Sequence, residues 1–339
     1  MRLFTSMIEC LHGERLLKQN MAKILYVVHR YAPYPGGSEN YVRDMAEETV
    51  RRGHDVTVLA GEHKGDLNGV RVTSDFQIMG SELFDLIVVH GGDVGVQDVA
   101  LMNAQRIPSP MLFMLIKPSE SAVYQHAMNH VKFIGCSTKE DWESAFKLGH
   151  RDKAVRVSHG IDAKISSGTP GFREKYGITT PYMFLSCGGF WPNKAFHELI
   201  NTFNGVGRDD VTLVLTGYDN RHSIMPQNSK QVKVMMIDDR NDVMSAIRDA
   251  DLYIMHSHSE GFGLVLLESM LNRTAWASRS IAGAKVLSDF GFTYENDSAL
   301  REYMIDFKGV PESKLDDAHE YVMNAHLIKN TVNDILKLI

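Results

Sequence analysis

Two carboxylates, Glu260 and Glu268, bracket the run Gly261-Phe262-Gly263-Leu264-Val265-Leu266-Leu267. The run follows a strand pattern, Leu252 to Met255, and a polar loop, His256 to Ser259. Glu260 therefore falls in a loop and Glu268 about two turns into the helix that follows. Between them the amides of Gly261 and Gly263 stand at a helix N-terminus, where they lack carbonyl partners and favour an anion. Carboxylates accept hydrogen bonds from ribose or hexose hydroxyls, and bare amides receive phosphate oxygens. One element thus offers the chemistry that a nucleotide sugar requires. A solvated helix position would be the plainer account of Glu268, but this residue interrupts a dense apolar stretch, where an unpaired carboxylate is costly.

A second candidate is the loop His29-Arg30-Tyr31-Ala32-Pro33-Tyr34-Pro35-Gly36-Gly37-Ser38-Glu39, between a strand and a helix. Adjacent glycines before a helix let a ligand approach the backbone. An ordinary Pro/Gly turn capped by Ser38 fits equally well. The spaced glycines of a dinucleotide fingerprint are missing, which lowers the case for NAD. His90 ends a strand and is a candidate for contact with an acceptor. His256-x-His258 has metal-pair spacing, but no third ligand stands near it in sequence, so the pair reads as structural. Trp191 and Phe262 could stack on a base or sugar, or simply pack.

These residues need elements to position them. From Lys23 onward, short apolar β-branched runs alternate with amphipathic stretches of ten to fifteen residues, the signature of βαβ units and a parallel sheet. Strands are expected from Ile24, Val56, Leu86, Met111, Val131 and Val155 in the first half. A second series starts at Met183, Leu213, Val232, Leu252 and Ala275. The turn-rich stretch Ser166-Ser167-Gly168-Thr169-Pro170-Gly171 breaks the rhythm. The expected organisation is an extension over 1–20, a first domain over 21–162, a linker over 163–181 and a second domain over 182–314. A closing helix or helix pair over about 315–339 is expected to pack back on the first domain. Two doubly wound α/β domains would face a central cleft, with ligands outside the carboxyl ends of the strands.

Length and composition agree with this. A chain of 339 residues, 44% hydrophobic and 23% charged, can build two cores and is far from the disordered corner. Three scattered cysteines exclude a disulfide framework and point to a reducing compartment. No apolar run approaches the roughly 18 to 20 residues of a membrane span. The net charge of −6 argues against a general nucleic-acid scaffold, which needs a basic face. Met1 to Asn20 lacks the apolar core and cleavage site of an export signal, and reads as a peripheral appendage.

Glu260 to Glu268 resembles the Glu-x7-Glu motif of retaining GT-B glycosyltransferases, in the Glu-Gly-Phe-Gly-Leu form of glycosyltransferase family 4. Other matches follow in order. Pro33 to Glu39 is similar to that family's Pro-x-x-Gly-Gly-x-Glu loop, Gly53-His54-Asp55-Val56 to its Gly-His-x-Val, Ser158 to Asp162 to its Pro-Asn-Gly-Val-Asp, and Ala250-Asp251-Leu252 to its Ala-Asp-Leu. The resemblance covers about Lys23 to Tyr294 and implies the GT-B fold. It also implies hexosyl transfer from a UDP- or GDP-sugar, with retention and without a metal or other cofactor.

Carried over by position, the resemblance puts Glu260 near the donor sugar and Glu268 near the ribose. Gly261, Phe262, Gly263, Leu264 and the Gly36-Gly37 loop would hold the sugar and diphosphate, and Lys194 fits the lysine that pairs with the diphosphate. Two departures stand out. Gly189 occupies the place of an arginine five residues before that lysine, and Lys117 stands near the place of a histidine after the strand Met111 to Ile116. Lys117, Arg30 and Arg279 are candidate replacement cations, and His90 and Arg30 are candidates on the acceptor side. The expected partners are a nucleotide sugar and an acceptor, with nucleic acid unexpected. The expected location is cytoplasmic, with a peripheral contact at the inner membrane surface left open. A non-catalytic nucleotide-sugar binder, an enzyme acting on modified DNA bases and a nucleotide-sugar epimerase remain alternative readings of the same residues.

Overall fold

A computed structural model describes residues 21–91, 95–115, 121–218 and 226–339. The expected extension 1–20 and Lys117 lie outside the described residues.

The first sheet contains β1 Lys23–Arg30, β2 Asp55–Glu62, β3 Arg71–Thr73, β4 Leu86–His90, β5 Met111–Met114, β6 Phe133–Cys136 and β7 Ala154–Arg156. The second contains β8 Tyr182–Cys187, β9 Val211–Gly217, β10 Val232–Met236, β11 Leu252–Met255, β12 Ala275–Arg279 and β13 Phe292–Tyr294. Their orders are 3-2-1-4-5-6-7 and 10-9-8-11-12-13, and the paired strands run parallel. Both sheets reverse direction beside their first strand, which opens a crevice at the carboxyl ends. Helices cover both faces, so strands such as Ile24 to Val28 are buried throughout and read as continuous apolar runs. The three-residue edge strands β3 and β13 escaped the sequence reading because neither has a sustained apolar run.

The longer helices are α1 Gly37–Arg51, α2 Val96–Met102, α3 Ala122–His130, α4 Lys139–Lys147, α5 Phe196–Asn204, α6 Arg240–Asp249, α7 Leu264–Leu271, α8 Asp297–Asp306, α9 Glu312–Ala325 and α10 Ile328–Leu336. Glu268 is the fifth residue of α7, so it stands one turn inside the helix rather than two.

Residues 163–181 do not form a linker. Phe172 and Ile178 belong to a core cluster of the second sheet, and Arg173 binds Asp251 and the Asp249 carbonyl. The turn-rich stretch looked free because its backbone partners are distant side chains: Gly168 N–H donates to Asn272, and Gly171 N–H to Asp249. The closing segment also divides. Ala318 and Val322 of α9 pack in the second core, whereas Ile328, Val332 and Ile335 of α10 pack in the first.

The chain thus crosses between domains twice, near 158–162 and 326–328. The two crossings pair with each other: Ile161 N–H donates to the His326 carbonyl at 2.9 Å, and Ile328 N–H to the Ile161 carbonyl at 2.8 Å. Gly160 makes this approach feasible, because a Cβ there would lie 2.4 Å from the Leu327 carbonyl oxygen. Tyr41, His159 and Phe262 continue the junction as a stack, with ring centroids 5.2 and 4.7 Å apart and planes within 6°.

Candidate active site

The crevice between the sheets is a cleft of about 760 Å³, lined by the ends of β1, β4, β8 and β9 and the starts of α1, α6 and α7. Gly263, at φ +85°, precedes α7 in the left-handed region, which favours glycine and turns the chain into the helix. Gly261, Phe262, Gly263 and Leu264 all line the cleft, as do Glu260 and Glu268. Phe262 is buried, with His159 stacked on it and His326 tilted beside it. Its ring packs the domain junction, so it is not free to stack on a base.

Lys194 ends the turn Pro192–Lys194 after β8. Its Nζ lies 2.5 Å from Glu260 Oε1, and both side chains are mostly buried. Asn193 accepts the His258 amide through its carbonyl, which fixes the lysine loop against the Glu260 loop. Gly189 lacks room for a side chain where Trp191 now stands, since a Cβ would fall 1.6 Å from Trp191 Nε1.

On the first domain, Glu39 folds over Gly36, where any Cβ would meet its carboxylate at 2.0 Å. Burial would raise this carboxyl, but His29, its own backbone and Arg30 hold it below the usual range. Arg30 Nη2 lies 2.8 Å and His29 Nε2 3.3 Å from Glu39 Oε1. Gly37 lines the cleft, yet Arg30 is already matched by a carboxylate. His90, at the end of β4, is buried and lines the cleft beside Tyr41. Burial, with His159 and His29 nearby, lowers its pKa to about 3, so it is a neutral imidazole with Nδ1 unmatched. His159 is similarly held at about 3 by burial and His326.

Arg279 turns to a separate cluster. It donates to Glu198, His256, His258 and Asp297 at 2.6 to 3.1 Å. Among the described residues, Glu198, His256 and Asp297 are the one grouping close enough to hold a cation, and the Arg279 guanidinium already bonds all three. The His256-x-His258 pair therefore has carboxylate neighbours from distant sequence, and Arg279 satisfies them. Asp249 and Asp251 have Asp-x-Asp spacing but bind Arg173 and the amides of Gly171 and Met183.

Sequence reasoning missed Arg240 and Asp44. Arg240, the first residue of α6, forms a two-pronged pair with Asp44 of α1, each bond 2.9 Å, and its Nη2 lies 3.7 Å from Glu268 Oε1. The signals were present. A cation at a helix N-terminus opposes the dipole, and Asp44 sits among Val42, Met45 and Ala46 on an apolar face.

Residues 169–291 match the family model of the glycosyl transferases group 1. The match spans β8 to β12, and the fold is GT-B. Solved structures of the same fold span nearly the whole chain. HepE from Anabaena, solved with UDP-glucose, has a TM-score of 0.75 at 16% identity, over 93% of this chain and 98% of that one. Sucrose-phosphate synthase from Thermosynechococcus elongatus gives 0.72 at 13% identity, over 94% and 98%. In sequence, a probable sucrose-phosphate synthase from Thermosipho melanesiensis is 21% identical over 325 residues, covering 83% of this chain and 76% of that protein. None of the described helices is long and apolar enough to cross a membrane.

Proposed function

We propose that this GT-B protein is a retaining glycosyltransferase that uses a UDP- or GDP-sugar. The observation that carries the reading is the convergence of Glu260, Lys194, Glu268 and the α7 N-terminus on one wall of the interdomain cleft. The group 1 domain covers all four. The UDP-glucose bound to HepE, on the same fold, supports a nucleotide-sugar donor.

In this reading Glu268 accepts from the ribose hydroxyls and Glu260 from the transferred sugar. Lys194 and the α7 amides face the diphosphate. The bond from the anomeric carbon to the phosphate oxygen breaks as the acceptor oxygen bonds on the same face. The acceptor hydroxyl proton passes to the departing phosphate. Preorganised donors aimed at the leaving oxygens stabilise the charge that develops there, a role that Lys194 takes in place of a metal. Neutral His90 faces the acceptor as a hydrogen-bonding group, since its lowered pKa makes it a poor base at neutral pH. A hydroxyl-bearing glycan, lipid-linked glycan or small molecule is the acceptor class, and the location is the cytoplasm.

A thermal-shift screen across UDP- and GDP-sugars tests the donor, because a ligand bound to the native state raises its stability. Incubation of the responding donor with candidate hydroxyl acceptors and chelator follows, with the anomeric configuration of the product read by NMR. Stabilisation by one donor, transfer with chelator and a retained anomer are expected. No response to any nucleotide sugar overturns the reading.

A further inference from the structure

Three groups from three elements meet beside the Glu268 end of the cleft. Asp44 comes from α1 of the first domain, Arg240 from the first turn of α6, and Glu268 from α7 of the second. Asp44 is 3% exposed at its side chain, Arg240 12% and Glu268 15%. Arg240 also donates to Ser166 at 3.2 Å, while its Nε has no partner. A fork of this kind fixes direction as well as charge. It joins the domains beside Glu268, a carboxylate that lines the cleft.

We propose that Arg240 is a positioning residue for the donor ribose: it aims the Glu268 carboxylate and, through Asp44, makes that aim depend on the first domain being seated. The inference rests on the donor reading above. Opposite pulls act on Glu268. Burial raises its carboxyl, Arg240 lowers it and Asp44 raises it. Other charged or titratable groups around this node include Arg43 on α1, Asp162 with Arg51 at the first crossing, Asp238 just before α6, and Cys187 at the end of β8, which Lys194 and Glu260 also influence. Beyond the far end of α7, Arg273 pairs with Asp316 of α9, and His319 bonds the Leu271 carbonyl. Burial prevails and the carboxyl stands above its usual range, and Arg240 is the cation that counters that rise.

The sign of each substitution follows. Arg240→Met removes the lowering charge, so Glu268 takes up its proton at higher pH. Asp44→Asn removes a raising charge and leaves the guanidinium to Glu268, so protonation moves to lower pH. Because Arg240→Met leaves Asp44 buried without its partner and risks unfolding, Asp44→Asn and Arg240→Lys serve as milder variants.

Calorimetric titration of UDP, GDP and their 2′-deoxy forms from pH 5 to 8 reads the effect. The wild type is expected to prefer the ribonucleotide by about tenfold, the worth of one charged hydrogen bond, and to lose that preference as pH falls. Glu268→Gln should lower the preference and make it independent of pH. Arg240→Met should move the pH midpoint up by about one unit and Asp44→Asn should move it down, with Arg240→Lys intermediate. A purely structural pair would weaken binding without moving the midpoints in opposite directions. If Glu268→Gln lowers the ribose preference while the Arg240 and Asp44 midpoints stay put, this inference fails and the donor reading stands. If no nucleotide binds the wild type, or Glu268→Gln leaves the ribose preference intact, the donor reading itself fails.

Discussion

The ion pair between Lys194 and Glu260 sets two binding events against each other. At 2.5 Å, with side chains 24% and 16% exposed, the pair is shielded enough to act as a charged hydrogen bond. Such bonds are worth about 1.5 to 3 kcal/mol net. A diphosphate that draws on Lys194 must compete with Glu260 for it. When the transferred sugar is present, its hydroxyls give the released carboxylate new donors, and the cost is offset. Glu260→Gln removes the competitor and keeps the shape. Nucleoside diphosphate alone is then expected to bind about tenfold more tightly, the lower end of that energy range. The intact nucleotide sugar should gain little, because the sugar loses its carboxylate. Turnover should fall by about a hundredfold or more, as when a preorganised group facing the reacting centre is lost. Lys194→Ala should weaken both ligands. Titration calorimetry of UDP against UDP-glucose, or the GDP pair, beside initial rates, separates these effects. If Glu260→Gln binds the diphosphate no more tightly than wild type does, Glu260 is not the internal competitor.

Two further predictions concern stability. His90 and His159 are buried as neutral rings with pKa about 3, against about 6.5 unfolded. Between those values the unfolded chain binds more protons, so stability is whole above about pH 6.5 and falls as pH drops toward 3. Each histidine contributes a loss of about 1.4 kcal/mol per pH unit well inside that window. The Tm should therefore drop steeply from pH 6.5 to 5, and His90→Asn should flatten that drop; an unchanged slope in the variant would count against it. Gly160→Ala places a methyl against the Leu327 backbone, which no side-chain motion relieves. A loss of about 1 to 3 kcal/mol is expected in a urea melt, and wild-type stability would show that the crossings can separate freely.

Local patterns carried much of the fold and the cleft. The apolar runs that gave most of the strands are runs because both sheet faces are covered, and the loop beside Glu260 was legible because two glycines and two carboxylates serve one short element. The relations across the cleft were less legible. Asp44 and Arg240 lie 196 positions apart, and each alone reads as a helix charge. Glu39 shows the same limit, since its carboxylate folds back over Gly36 at the anion position that the two glycines suggested. Gly189 looked like a missing charge, but the structure places the Trp191 indole there. Residues 163–181 looked like a linker because Phe172 and Ile178 find their core only once the second sheet has formed.

The charge of the cleft leads to a last test. Among the described residues its cations are Arg30, Lys194 and Arg240, and its carboxylates are Glu39, Asp44, Glu62, Asp238, Glu260 and Glu268. Each cation has a carboxylate within 3 Å: Glu39, Glu260 and Asp44 in turn. Among the described residues a diphosphate entering this wall meets no net positive charge, and its affinity is expected to come from the α7 amides and from exchange of the Lys194 pair. Steered association weakens steeply with ionic strength because added salt screens the attraction. Here salt screens a balance that is neutral to repulsive. Affinity for the nucleoside diphosphate is therefore expected to stay level or rise between about 0.05 and 0.5 M salt, a span over which the Debye length falls from about 14 to 4 Å. A steep fall over that range would mean that unpaired cations reach the diphosphate, and that exchange at Lys194 is not what limits binding.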